Sequence, residues 1–107
     1  NESGGPGQVI RVTTRVGVAY GTDIDEVRRL LLDIASQVEH IVQQPEPMVY
    51  FSEFGESGLI FELRACVSTP AYRDTVIDAM NTRIYKLFKE KNIEIPYPKH
   101  DVYMHQT

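Results

Sequence analysis

Residues 48–67 read Met48-Val49-Tyr50-Phe51-Ser52-Glu53-Phe54-Gly55-Glu56-Ser57-Gly58-Leu59-Ile60-Phe61-Glu62-Leu63-Arg64-Ala65-Cys66-Val67, and they decide the fold. Leu59, Phe61, Leu63, Ala65 and Val67 share one face of the second half, and Ile60, Glu62, Arg64 and Cys66 share the other. That alternation is the period-two signature of a strand. Met48 to Phe54 supplies a strand before it, and Gly55-Glu56-Ser57-Gly58 is a tight, glycine-bounded connection. Two strands so joined make an antiparallel hairpin.

A helix pattern lies on each side of the hairpin. Upstream, Ile24, Val27, Leu31, Ile34, Val38 and Ile41 recur at three- and four-residue steps, with Leu30, Ala35 and Val42 widening the stripe. This spacing predicts a helix from about Asp23 to about Val42. Asp23 with Glu26 three positions on fits a capping box, and Pro45-Glu46-Pro47 stops the helix and forces an extended exit. Downstream, Ser68-Thr69-Pro70 offers an N-cap and a proline at the first helical position. The second helix is expected from Pro70 to Lys91, with Val76, Ile77, Met80, Ile84, Leu87 and Phe88 inward and Asn92 as a left-handed cap.

Farther out, Gln8 to Tyr20 alternates again. Ile10, Val12, Thr14, Val16, Val18 and Tyr20 face one side, and Arg11, Thr13, Arg15, Gly17 and Ala19 the other. Beyond Ile93-Glu94-Ile95 and Pro96-Tyr97-Pro98, a short alternating strand places Val102 and Met104 on one face and Asp101 and Tyr103 on the other. The order β-α-β-β-α-β is the α+β, ferredoxin-like split βαβ plan: an antiparallel sheet with both helices on one face. Residues 1–8 read as a linker or cloning remnant, 9–95 as the ferredoxin-like domain and 96–107 as an arm with a terminal strand.

Composition narrows the function classes. At 107 residues the chain is one domain, and roughly two thirds of its unfolded surface can be buried without a disulfide or metal staple. Eleven Lys+Arg against fifteen Asp+Glu give a net charge of −4, which disfavours nucleic acid as a partner. A single cysteine, Cys66, excludes an internal disulfide, a Cys₄ zinc site or an iron–sulfur cluster. No run reaches the roughly 18 to 20 apolar residues that span a bilayer, and no secretory signal pattern is present, so the chain reads as soluble.

Catalytic chemistry finds no footing. His100 and His105 fall on opposite faces of any common strand, so they cannot share a metal, and His40 is expected near the C-terminal end of the first helix. Cys66 has no histidine base beside it, and Asp23, Asp25 and Glu26 are explained by capping. An acylphosphatase would need an anion-cradling loop after the first strand, and Tyr20-Gly21-Thr22-Asp23 is acidic there. We therefore expect no enzyme, no metal and no cofactor. The tail remains unexplained. A short strand with Val102, Tyr103 and Met104 either docks in its own sheet or is offered to neighbouring subunits.

Four segments together resemble the cytoplasmic C-terminal domain of the small-conductance mechanosensitive channel (MscS-type) family. They are Val16-Gly17-Val18-Ala19-Tyr20-Gly21-Thr22-Asp23, Pro45-Glu46-Pro47, Phe54-Gly55-Glu56-Ser57-Gly58-Leu59 and Ile93-Glu94-Ile95-Pro96-Tyr97-Pro98. The resemblance implies a vestibule and assembly domain of a tension-gated, homoheptameric ion channel that serves the osmotic stress response. Its place would be the cytoplasmic face of the inner membrane, held there only through upstream segments that this chain lacks. The segment after Pro-Tyr-Pro, here Lys99 to His105, would give one strand per subunit to a parallel barrel on the symmetry axis. Pro96, Tyr97, Pro98, Val102, Tyr103 and Met104 would then carry the subunit interface, with self-association weaker in the isolated domain. The alternative from another class is a ferredoxin-like small-molecule sensor regulating a membrane protein.

Overall fold

The computed structural model describes residues 9–97. Strand β1 runs Ile10–Val18, helix α1 Ile24–Gln37, β2 Met48–Phe54, β3 Leu59–Val67 and helix α2 Arg73–Glu90, with a 3₁₀ turn at Pro70–Tyr72 before α2. The sheet order is β1-β3-β2, antiparallel throughout. The hairpin strand thus lies in the middle, where its alternation buries Leu59, Phe61, Leu63, Ala65 and Val67 beneath the helices. Both helices lie on that face, α2 over β1 and α1 over β2, and they touch each other. Phe61, Leu63, Val67, Val18, Leu31, Val27, Val76, Met80 and Phe88 form its driest part. Burial of such side chains is the main stabilising term, at roughly 1.5–3 kcal/mol each. Among the described residues Thr14 is the one buried polar residue, and its hydroxyl donates to the Asn81 side-chain oxygen on α2.

Local chemistry sets the element ends. Asp23 caps α1 as expected, its Oδ1 accepting from the N–H groups of Asp25 at 2.9 Å and Glu26 at 3.3 Å. The Thr69 hydroxyl caps the 3₁₀ turn by accepting from the Ala71 N–H. α2 closes in a Schellman pattern. The Ile93 N–H donates to the Phe88 carbonyl at 2.8 Å and the Asn92 N–H to that of Lys89 at 3.2 Å, with Asn92 left-handed at φ 62°.

Three expectations are corrected. Helix α1 ends at Gln37, not near Val42, because Val38 turns extended (ψ 128°) and His40 left-handed (φ 76°). Val38 and Ile41 still reach the core, but Ile41 does so from an antiparallel bridge to Val67, with the Val42 N–H on the Cys66 carbonyl at 2.9 Å. His40 consequently stands outside the helix and stacks on Tyr72, ring centroids 3.7 Å apart. Tyr20, expected on the inward face, lies past the end of β1 and is 52% exposed. The expected tail strand, with His100 and His105, and the expected linker at residues 1–8 lie outside the described residues.

Candidate assembly surface

The surface is assembled at one end of the sheet, where the β2–β3 turn, the end of β1 and the chain leaving α2 converge. Asn92 reverses the chain and Ile93 drops into the core beside Phe88. The Glu94 carbonyl then accepts the Ala19 N–H at 2.9 Å, which ties the arm to the end of β1. Pro96 comes next and packs on Gly58: a Cβ placed there would come within 3.2 Å of Pro96 Cγ and would collide with the Val18 carbonyl oxygen. Gly58 is therefore required by close approach, not by a special φ. Gly55 and Gly58 close the turn through an N–H to carbonyl bond of 2.8 Å, and the Tyr20 hydroxyl donates to the Gly55 carbonyl.

Of the residues expected to carry assembly, Pro96 is half-buried against Gly58 and Tyr97 is 84% exposed. Pro98, Val102, Tyr103 and Met104 lie outside the described residues. Phe54, at the other side of the turn, is 76% exposed although its ring edge contacts Phe51. Large exposed apolar groups at one end of a small domain are the kind of surface a partner covers.

The sheet face away from the helices is polar and internally paired. Glu62 accepts from Arg64 Nη2 at 2.8 Å and from Arg15 Nη1 at 3.5 Å, and Arg64 also lies over the Tyr50 ring at 4.3 Å. The Ser52 bulge shifts the register so that Glu53 stands opposite Ile60 and lies 3.9 Å from Arg15. Periodicity alone misses this cluster, because it depends on cross-strand register. Cys66 is buried beneath the same face, beside a cleft of about 110 Å³ bordered by Arg11, Met48 and Tyr50. That is well below the roughly 300–1,000 Å³ of ligand sites. A broader groove of about 390 Å³ follows β1, but it is open and rimmed by Asp23, Glu26 and Glu94 against Lys91. Among the described residues no group of three or more His, Cys, Asp or Glu could hold a metal, and no helix is long and apolar enough to cross a membrane.

Residues 12–95 match the family model described as "Mechanosensitive ion channel MscS, C-terminal". The chain is 44% identical over 94 residues to an uncharacterized MscS family protein of Haemophilus influenzae, an alignment that covers 88% of this chain and 8% of that protein. It is 37% identical to the mechanosensitive channel MscK of Escherichia coli, over 89% of this chain and 8% of MscK. Among solved structures it resembles Helicobacter pylori MscS in the closed state, with a TM-score of 0.78 and 27% identity over 85% of this chain and 36% of that one. The chain thus spans a small part of the length of the relatives it matches.

Proposed function

This chain belongs to the MscS family of mechanosensitive ion channels, in the part that forms their C-terminal domain, and from that premise we propose that it is a non-enzymatic vestibule and assembly module of a tension-gated channel. In this reading it lies on the cytoplasmic face of the inner membrane, packs against identical copies in a sevenfold ring, and supports gating without being the pore. The observation that carries the reading is the convergence at the sheet end. The arm from α2 is anchored at Ala19 and Gly58 and then delivers Tyr97, almost wholly exposed, away from the core. The ten residues that follow include Pro98, Val102, Tyr103 and Met104, which we assign to the subunit interface. Closing identical strands into a ring removes every free edge with one repeated contact.

Patch clamp on the parent channel, with and without residues 93–107, tests this proposal. The truncated channel should assemble less well and gate abnormally, and unchanged abundance, assembly and gating would overturn the assignment. The alternative of a small-molecule sensor has less support: among the described residues the cleft beside Cys66 is small, and the groove after β1, though rimmed by charged groups, is open to solvent.

A further inference from the structure

We propose that Pro96 and Pro98 are a register stop, which opposes extension of the Ala19–Glu94 bond into an antiparallel ladder along the outer edge of β1. The inference deepens the assembly reading only in saying why a free arm is useful; its physical content stands on the ladder.

In an antiparallel pair the backbone groups of successive residues point alternately toward and away from the partner. The Cys66 carbonyl faces the β2 side, since it accepts from Val42, so the alternate residues Ala65 and Val67 face β1. Their partners Val12 and Ile10, and by the same alternation Thr14, Val16 and Val18, therefore bond inward to β3. Arg11, Thr13, Arg15, Gly17 and Ala19 turn their N–H and carbonyl groups to the outer edge. Ala19 confirms the phase, because its N–H is the one that meets Glu94.

Extending that bond as an antiparallel ladder would set residue 96 opposite Gly17 and residue 98 opposite Arg15. Both positions are proline. A proline facing a partner strand has no N–H to give, and its ring intrudes on the partner carbonyl. Each successive rung of this register is thus blocked, while Tyr97 between them is the position that would face outward. Within the described residues, Pro96 lies over Gly58 of the hairpin turn. Among the described residues no strand pairs with the outer edge of β1.

Residue-resolved amide exchange on the 107-residue chain, diluted until light scattering reports a monomer, tests the stop. Arg11, Thr13, Arg15 and Gly17 should exchange at least about tenfold faster than Val12, Thr14, Val16 and Val18. In the double variant Pro96→Val, Pro98→Val, the amides of Gly17 and Arg15 should slow at least about tenfold as the arm zips onto β1. Protection of the outward amides already in the parent chain would overturn the proposal. So would fast exchange of Gly17 and Arg15 in the double variant while the inward amides stay slow. Should the double variant lose the inward protection as well, the triple variant Pro96→Val, Tyr97→Pro, Pro98→Val keeps one proline but turns it outward, and the same two outcomes decide. Because the measurement is made on monomers, it can fail while the assembly role holds, and the reverse.

Discussion

Replacing Gly58 by alanine adds one methyl group where the backbone leaves none. The new Cβ would press on the Val18 carbonyl, and no rotamer change can move a main-chain oxygen. Relief requires β1 and β3 to part at the Val18–Leu59 pair, which sacrifices roughly one hydrogen bond, about 1 kcal/mol, and loosens the packing around Leu59. Overpacking a well-packed site costs about 1–3 kcal/mol in all, so with the lost bond included the substitution should cost about 2 kcal/mol. For a domain of this size that lowers the melting temperature by about 8–16 °C. Gly17→Ala is the matched control: its Cβ would meet the Ile60 Cδ1 at 3.3 Å, the far end of a side chain that can swing aside. Its cost should stay below about 0.5 kcal/mol, offset by the reduced freedom of the unfolded chain. Adding Pro96→Ala to Gly58→Ala should recover little, since the carbonyl, and not the arm, is the immovable neighbour. Differential scanning calorimetry of the three variants decides, and equal melting temperatures for Gly58→Ala and Gly17→Ala would refute the reasoning.

Glu62→Gln leaves both guanidinium groups without their shared carboxylate and should cost about 1 kcal/mol at low salt, with the deficit shrinking in 1 M salt; chemical denaturation at two ionic strengths reads it. Asp23→Ala removes the acceptor for two N–H groups at the start of α1, and should cost about 1 kcal/mol by thermal melting followed by circular dichroism. Arg28 Nη1 donates to the Val49 carbonyl at 3.1 Å on the edge strand β2, so Arg28→Ala should leave stability within about 1 kcal/mol yet increase concentration-dependent association. Sedimentation velocity showing no added association would remove the guarding role from that arginine.

The bounds of β2 and β3 are legible, because alternation and the two glycines mark them, but the bulge at Ser52 is not, because it shows only in the cross-strand register. The first helix was overextended for a definite reason. Val38 and Ile41 continue the helical spacing and are both buried, so their burial was foreseen correctly. The backbone that achieves it is a left-handed residue and a bridge to Val67, and apolar spacing cannot distinguish the two routes. At the surface, Pro96 and Tyr97 could be singled out because prolines near an apolar tail are conspicuous. The Glu62 cluster and the Arg28 contact could not, since each joins elements whose offset is set by the bulge at Ser52 or by helix placement over the sheet.

The chain enters β1 at Ile10, level with Val67, and the arm departs at the opposite end, where Glu94 meets Ala19. Nine residues separate those points, a span of about 30 Å along the strand. A pull between the two ends therefore acts along β1 and loads its bonds to β3 in shear, all of them together. Peeling the same strand from one end would break them one at a time at far lower force. A pull applied between Ile10 and Glu94 therefore meets the cooperative resistance of the whole β1–β3 ladder.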